Sequence, residues 1–176
     1  AATRAAYERF GGGRVFDVPN AEQALTGIAI GAAAMGKRPV LVHARNDFMF
    51  LVMDQMINLA AKWRYMYGGT SQVPIVVRSI IGKGWGQGAT HSQSLQALFG
   101  HFPGLQVVMP ALPRDAKGFI LAALQARGPV VILEHRALYE TEGLVPEECQ
   151  PTPLGTAAVV REGEDVTVVA TSLMVV

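Results

Sequence analysis

Short runs of β-branched and apolar residues alternate with segments of helical periodicity between residues 14 and 139. Runs that are apolar throughout are typical of strands covered on both faces. Strands that alternate with helices predict βαβ units, so we expect an α/β fold with three α/β/α layers and a mainly parallel sheet. The predicted strands span about 38–43, 73–78, 105–109 and 130–134.

The segments between the strands predict helices. Asn20 is the candidate N-cap of the first helix, and Asn46 or Asp47 that of the second, because these side chains accept hydrogen bonds from free backbone N–H groups. Gly36 and Gly68 are predicted to end these helices, since glycine readily adopts positive φ. The predicted helices span about 20–35, 46–67, 91–100 and 113–126.

The character of the sequence changes after Tyr139. Residues 140–153 are polar and contain prolines, which is typical of a linker. Residues 154–160 and 165–170 predict two further strands joined by a turn. We therefore expect a first domain at 1–139, a linker at 140–153 and the start of a truncated C-terminal domain at 154–176, within a longer subunit.

Composition narrows the classes of function. Only 16% of the residues are charged and the net charge is +1, so the sequence favours neither nucleic acid nor a membrane surface as a partner. A lone Cys149 excludes an intramolecular disulfide and favours a reducing compartment. The sequence has no apolar run of the roughly 18 to 20 residues that a membrane span needs, and we expect a cytoplasmic protein.

A glycine-rich loop follows the predicted strand at 73–78. Loops at the carboxyl ends of parallel strands are where open α/β folds bind ligands. Thr90 and Gln93 predict a capping box, which places His91 in the first turn of a helix. The loop matches neither phosphate-binding glycine motif. Taken alone, it leaves a functional and a purely architectural interpretation equally open.

Two side chains, Glu22 and His91, are candidates for chemistry. Glu22 lies in a predicted first turn, where the helix dipole favours a carboxylate, although acids at this position are often ordinary capping features. The dipole would keep His91 neutral and able to accept a proton, and the alternative is a polar loop histidine. Phe48 and Phe50 are predicted to be core residues rather than ligand platforms. No metal-ligand spacing or nucleophile elbow is present.

A series of short motifs runs through residues 14–176 in one register. In order and spacing they resemble the pyrimidine-binding module of the β subunit of 2-oxoacid dehydrogenase E1 components. That family includes pyruvate, branched-chain 2-oxoacid and acetoin dehydrogenases, within the transketolase-like group of thiamine diphosphate enzymes. The motifs are Phe16-Asp-Val-Pro-Asn-Ala-Glu22, Gly27-Ile-Ala-Ile-Gly-Ala-Ala33, Asp54-Gln-Met-Ile-Asn58 with Ala60-Ala-Lys62, Val73-Pro-Ile-Val-Val-Arg78, His91-Ser-Gln93, His101-Phe-Pro-Gly-Leu-Gln-Val-Val108, Asp115-Ala-Lys-Gly118 and Pro129-Val-Val-Ile-Leu-Glu134.

The resemblance implies a role for each candidate. Glu22 matches the glutamate that hydrogen-bonds N1′ of the cofactor's aminopyrimidine and favours the imino tautomer, which takes the proton from C2 of the thiazolium. Phe48 matches the aromatic residue that stacks on the pyrimidine. His91 matches a histidine near the reacting carbonyl, suited to proton transfer and to passing the acyl group to a lipoyl arm. A possible K⁺ site corresponds to main-chain carbonyls near Ile75, Ala123, Leu124, Ala126 and Gly128.

The resemblance also implies partners. This chain lacks the pyrophosphate motif Gly-Asp-Gly followed by Asn, which such enzymes carry with their Mg²⁺ on a separate α subunit. Thiamine diphosphate would then lie between the two subunits of an α2β2 heterotetramer with a β–β contact. The resemblance further implies a lipoyl acyltransferase core as a partner and a 2-oxoacid as the substrate. It also implies that the chain would be inactive alone. The first strand and helix of the pyrimidine-binding module are missing from 1–139 in this comparison.

Two alternatives remain open. One is a transketolase-like transferase or a decarboxylase that uses the same cofactor. The other is a non-catalytic module retained for assembly. The family commonly has Thr or Ser where this chain has Val18 or Asn20, and a less bulky loop than residues 80–85. Trp85 in that loop could line a substrate channel or a subunit contact, which leaves the choice of substrate open.

Overall fold

The structure, a computed structural model, describes residues 3–176. Its centre is a sheet of four parallel strands in the order β1-β2-β4-β3. In register, Val76 of β2 is paired with Val40 of β1 and with Val130 of β4. The predicted α/β class with a parallel sheet is confirmed. The strands are β1 Val40–His43, β2 Val76–Ile81, β3 Gln106–Val108 and β4 Val130–His135.

Helices connect the strands. The segment after β1 is helical without a break, as a 3₁₀ turn at Asn46–Val52 and a π-helical stretch at Asp54–Ala60 that lead into α3. None of the helices in residues 3–176 is both long and apolar enough to cross a bilayer. The α-helices are α1 Arg4–Phe10, α2 Glu22–Ala34, α3 Ala61–Met66, α4 Gln96–Gly100 and α5 Pro113–Gln125, and further 3₁₀ turns lie at Ala89–His91, Arg136–Leu138 and Ser172–Val175.

The two faces of the sheet carry different cores. On one face, α2 and the helical segment 46–66 pack against alternate strand residues such as Val77 and Leu133. On the other, α5 contributes Ala123 to a smaller cluster with Val76, Val130 and Ile132. Side chains point alternately to the two faces of a strand, so both faces of β2 and β4 are buried. This explains the apolar residues at both ends of β2 and the run of four apolar residues that opens β4.

The predicted helix ends are right at Gly36 and Gly68. At the end of α2 the Gly36 N–H donates to Ala33 and the Lys37 N–H donates to Ala32, with Gly36 at φ +84°. This is a Schellman motif, which requires positive φ at the residue after the C-cap and so favours glycine. The same pattern ends α3, where the Gly68 and Gly69 N–H groups donate to Tyr65 and Arg64.

The predicted N-caps are wrong. Ala21 precedes α2 and Arg45 precedes the helical segment after β1, and neither side chain caps its helix. Asn46 and Asp47 lie one and two residues inside that segment, where both are buried. The sequence could not show this, because the Asp47 carboxylate is bound by a backbone N–H distant in sequence, that of Gln93.

Strand β2 lies three residues later than predicted, at 76–81 rather than 73–78. Pro74 has no N–H to give to a ladder, whereas Ile80 and Ile81 pair with the end of β4. The predicted capping box is also wrong. Helix α4 begins at Gln96, and Thr90 lies beside the His91 ring instead of capping a helix.

The strands predicted at 154–160 and 165–170 are absent from this part of the described chain, which has no regular structure up to the turn at 172–175. Val159, Val166, Val168 and Val169 are largely exposed. Two strands without a sheet or helix to pack on are marginal in water. The apolar alternation in these residues therefore has no partner surface within 3–176.

His43, the last residue of β1, is buried on the α2 side of the sheet. Its Nε2 lies 3.5 Å from Thr26 Oγ1 on α2, and its carbonyl accepts a hydrogen bond from Ser79 Oγ at 3.0 Å. Burial lowers the pKa of His43 below its ordinary value, and the nearby charge of Glu22 offsets part of this effect. His43 is therefore a neutral core residue at neutral pH.

The lowered pKa of His43 predicts a loss of stability in acid. In the unfolded chain His43 titrates near 6.5, so the unfolded state binds more protons than the folded state once the pH falls below that value. The free energy of unfolding should therefore fall between about pH 7 and pH 5, by at most about 1.4 kcal/mol per pH unit for one histidine.

Urea denaturation across this range measures the effect. Burial also lowers the pKa of His135, so the variant His43→Asn should reduce the slope without abolishing it. The exposed His101 serves as the control, and His101→Asn should leave the slope unchanged. A slope that is identical in His43→Asn and the unmodified chain would contradict the assignment.

Candidate functional site

The carboxyl ends of the parallel strands meet at one edge of the sheet, and α2 begins there. Glu22 is the first residue of α2, and its charge acts on His43 at the end of β1. The side chain is half-buried, and no hydrogen bond or ion pair within residues 3–176 engages its carboxylate. An uncommitted carboxylate at a helix N-terminus can accept a hydrogen bond from an N–H group of a ligand.

Phe48 and His91 lie in direct contact at the same edge. Their ring centroids are 5.4 Å apart with an interplanar angle of 72°, an edge-to-face arrangement. Phe48 is 39% exposed and Phe50 is 50% exposed, so the prediction that both are core residues is wrong. The 3₁₀ turn at 46–52 directs Met49 and Val52 inward and leaves Phe48 and Phe50 open.

The structure corrects the local setting of His91. The residue ends the short 3₁₀ turn at Ala89–His91, and α4 begins only at Gln96. The predicted position of His91 in the first turn of a helix is therefore wrong. Instead, His91 Nδ1 lies 3.1 Å from Thr90 Oγ1, and the ring is partly exposed beside Phe48.

Sequence reasoning missed two buried polar residues that directly precede Phe48 in the chain. Asn46 is fully buried, and neither atom of its amide group has a partner within residues 3–176. Asp47 is 7% exposed and accepts a hydrogen bond from the Gln93 N–H at 3.1 Å through Oδ1, while Oδ2 is unpaired in the described chain. Their position in the segment that follows the carboxyl end of β1 was the available signal, since such positions line the binding edge of α/β folds.

Side-chain contacts hold the glycine-rich loop at Trp85 and Gln87. Gln87 Oε1 accepts hydrogen bonds from Arg45 and from Trp85 Nε1, the latter at 3.0 Å. The Arg136 guanidinium lies 5.0 Å from the centroid of the Trp85 ring. These contacts fix Trp85 near the carboxyl ends of β2 and β4, where it borders the edge that carries His91.

A cavity of about 510 Å³ lies next to this edge, between the end of β4 and the start of α5. Arg78 Nε and Nη2 donate to the two Glu134 oxygens at 2.6 and 3.0 Å, and Tyr139 also donates to Glu134. Burial raises the pKa of Tyr139 above its ordinary value, and the Glu134 charge adds to this. Arg78, Glu134 and Tyr139 are thus paired with one another, and the rest of the lining includes the apolar residues 110–113, Ala116 and Leu138.

The potassium site stays a prediction. The Ile75 carbonyl already accepts from the Val130 N–H, and the Ala126 carbonyl accepts from the Arg38 guanidinium at 2.9 Å. A second cation at the Ala126 oxygen would be repelled by this arginine, which argues against that ligand. Of the five carbonyls in the predicted set, that of Ala123 also accepts a backbone hydrogen bond, whereas those of Leu124 and Gly128 accept no hydrogen bond from the turns and loops of residues 3–176.

The edge as a whole suits a flat nitrogen heterocycle. It offers an uncommitted carboxylate at Glu22, an open aromatic ring at Phe48 and an imidazole at His91 that contacts that ring. An aromatic face can stack on a heterocycle, and a carboxylate can bind a ring N–H. The same residues fit an aminopyrimidine, while residues 3–176 contain no cluster of three or more His, Cys, Asp or Glu side chains that could hold a metal.

Comparison with curated proteins gives long matches. The chain is 46% identical over 173 residues to the β subunit of an acetoin:2,6-dichlorophenolindophenol oxidoreductase of Cupriavidus necator, covering 98% of this chain and 51% of that protein. It is 43% identical over 175 residues to the 2-oxoisovalerate dehydrogenase subunit β of Bacillus subtilis, with 99% and 54% covered. It is 41% identical over 174 residues to the mitochondrial pyruvate dehydrogenase E1 subunit β of Bos taurus, with 97% and 48% covered.

Among solved structures, a split-gene transketolase described as an inactive β4 tetramer superposes with a TM-score of 0.77 at 24% identity. The match covers 98% of this chain and 53% of that chain, and it shows that the two chains share a fold. The chain thus spans about half the length of the curated relatives it matches. The profile described as "Transketolase, pyrimidine binding domain" matches residues 1–142, most of the chain, and the chain therefore belongs to that family.

Proposed function

We propose that this chain is part of the β subunit of a thiamine diphosphate-dependent 2-oxoacid dehydrogenase, in which it binds the aminopyrimidine of the cofactor. The observation that carries the proposal is that the Phe48 and His91 rings are in contact at the sheet edge where Glu22 begins α2. Relatives named as β subunits of such enzymes match nearly the whole chain, which supports it.

Glu22 is the proposed activating group. When bound, thiamine diphosphate supplies an acidic C2–H and the electron sink for decarboxylation. The Glu22 carboxylate would hold the proton at N1′ of the pyrimidine and so favour the tautomer whose imino nitrogen can accept a proton. The carboxylate is suited to this role because it is half-buried and free of hydrogen bonds within residues 3–176.

Phe48 and His91 complete the proposed arrangement. The open face of Phe48 would stack on the pyrimidine and exclude water from one side of it. His91, at the edge of the Phe48 ring, would carry a proton to or from the substrate oxygen and assist acyl transfer to a lipoyl arm. Partial exposure of the imidazole allows both a substrate and a lipoyl group to reach it.

The partner is proposed to be an α subunit that binds the diphosphate and its Mg²⁺. The outer side of α2 supports an interface, because Ile28 is 68% exposed and Met35 is 83% exposed. At Gly27 and Gly31, no atom lies within 4 Å of where a Cβ would project. Apolar, closely approachable surface of this kind marks an interface. We propose an α2β2 heterotetramer with a β–β contact, served by a lipoyl acyltransferase core.

The domain limits follow the same proposal. Residues 1–139 form the pyrimidine-binding domain, which the family match at 1–142 supports. Residues 140–153 form a linker, and 154–176 open a C-terminal domain whose remaining strands would cover the exposed valines of this segment. The relatives differ in the substrate that their names give, so a product assay with pyruvate, branched-chain 2-oxoacids and acetoin identifies the substrate.

Replacing Glu22 with glutamine tests the proposed function. In the full-length subunit assembled with its partner, Glu22→Gln should slow exchange of the C2 proton of bound thiamine diphosphate by about a hundredfold or more, because the N1′ proton loses its carboxylate. Deuterium exchange followed by proton NMR measures this rate. The exposed Glu8 on α1 provides the matched control, since Glu8→Gln makes the same chemical change at a carboxylate that pairs with Arg4 and is not assigned to the site.

The same variant has a readout that does not depend on the cofactor. Loss of the Glu22 charge removes the effect that raises the pKa of His43, so this pKa should fall further in Glu22→Gln. Unchanged C2 exchange with a shifted His43 pKa would show that Glu22 is correctly placed but does not activate the cofactor.

Replacing His91 with alanine separates acyl transfer from activation. We expect a loss of about a hundredfold in transfer to lipoamide, with cofactor affinity and C2 exchange nearly unchanged, because the imidazole acts on the substrate. Rapid-quench kinetics measures the transfer to lipoamide, and calorimetry measures the affinity for the cofactor. His101 is an exposed histidine that also packs edge-on against a phenylalanine, at 5.3 Å, so His101→Ala is the matched control. Equal losses of cofactor affinity and transfer would assign His91 a structural role.

A further inference from the structure

We propose that Asp47 is a positioning residue, which holds the segment that carries His91 against Phe48. The inference rests on the proposed function and adds a residue that neither touches the cofactor nor reacts. Asp47 Oδ1 accepts a hydrogen bond from the Gln93 N–H at 3.1 Å, across 46 residues of sequence. Because Phe48 is the next residue after Asp47, one short segment fixes both rings of the site.

The segment that carries His91 depends on this bond at one of its ends. At this end, the Gln93 N–H donates to Asp47, and the Gln93 carbonyl accepts a hydrogen bond from the Gly82 N–H at 3.3 Å. At the other end, Ser92 Oγ donates to the Gly88 carbonyl at 2.7 Å and the His91 N–H donates to the same carbonyl at 3.3 Å. Gly88 itself is exposed and has φ +75°. Near that end, the contacts to residues outside the loop are the hydrogen bond from Arg45 to Gln87 and the ring contact of His91 with Phe48.

The bond between Asp47 and Gln93 ties this loop to a buried element. Asp47 is 7% exposed, and the turn that contains it includes the fully buried Met49 and Val52. A hydrogen bond to a carboxylate is stronger than one between neutral groups, and its loss would leave the donor without a partner. The loop would then lose the charge-assisted hydrogen bond that ties Gln93 to this buried element.

A capping role does not account for the burial of Asp47. Arg45 stands at the N-cap of the turn, so the carboxylate does not cap this helix. Its second oxygen, Oδ2, is buried and makes no hydrogen bond within residues 3–176, so the Gln93 N–H is the one partner that the described chain gives it. The cost of burying this carboxylate is consistent with a position retained for the geometry of the site.

Two variants separate the acceptor oxygen from the charge. Asp47→Asn retains an oxygen that can accept from the Gln93 N–H, whereas Asp47→Ala removes it. Asp54 lies on the exposed side of the same helical segment and bonds to Asn58, so Asp54→Asn is the matched control for loss of a carboxylate. All variants are made in the full-length subunit assembled with its partner.

Hydrogen exchange measured by mass spectrometry reports the contact, and kinetics reports its consequence. In Asp47→Ala, peptides covering 88–95 should exchange faster, and acyl transfer should fall about tenfold to a hundredfold, with C2 exchange within about threefold of the unmodified enzyme. Asp47→Asn and Asp54→Asn should keep the protection of residues 88–95 from hydrogen exchange. Their rates of acyl transfer and C2 exchange should stay within about threefold of those of the unmodified enzyme.

Three results would overturn the inference. They are unchanged protection of 88–95 in Asp47→Ala, equal losses of C2 exchange and acyl transfer in that variant, and a loss in Asp47→Asn as large as in Asp47→Ala. The second result would indicate a purely structural residue, and the third would indicate a role for the charge. Failure of the proposed function is distinguishable, because the unmodified assembly would then show neither C2 exchange nor acyl transfer.

Discussion

The parallel pairing of β2 on both of its sides is the constraint on which the rest of the structure depends. Val76–Ile81 is hydrogen-bonded to β1 along one side and to β4 along the other. Parallel pairing places the carboxyl ends of all three strands at one edge, and a helix that returns to the start of the next strand must begin there too. Glu22, Phe48 and His91 therefore reach one place although they are far apart in sequence.

This edge forms an incomplete site. Its aromatic and acidic groups are open, the side chain of Asn46 has buried polar atoms without partners in residues 3–176, and the outer side of α2 is apolar. Buried polar groups in native proteins are nearly always paired, and large exposed apolar surfaces mark interfaces. The apolar outer side of α2 is explained if a second polypeptide covers it, as the proposed α subunit would. The Asn46 amide is fully buried, so such a partner does not reach it.

Much of the fold follows from local sequence, whereas the details of the site do not. Apolar runs predicted the strands and the parallel sheet, and Gly36 and Gly68 predicted helix ends, because each depends on nearby residues. The predicted role of Asp47 as an N-cap was wrong because its partner is the distant Gln93 N–H. The same bond holds residues that were predicted to begin a helix at His91. Exposure of Phe48 depends on how the turn meets the core, which periodicity cannot show.

Titration of thiamine diphosphate into the full-length subunit by calorimetry, with and without the α partner, tests most directly whether this edge is half of a shared cofactor site. The account predicts no tight binding by the subunit alone and tight, Mg²⁺-dependent binding by the assembly. Tight binding by the subunit alone, or none by the assembly, would contradict it.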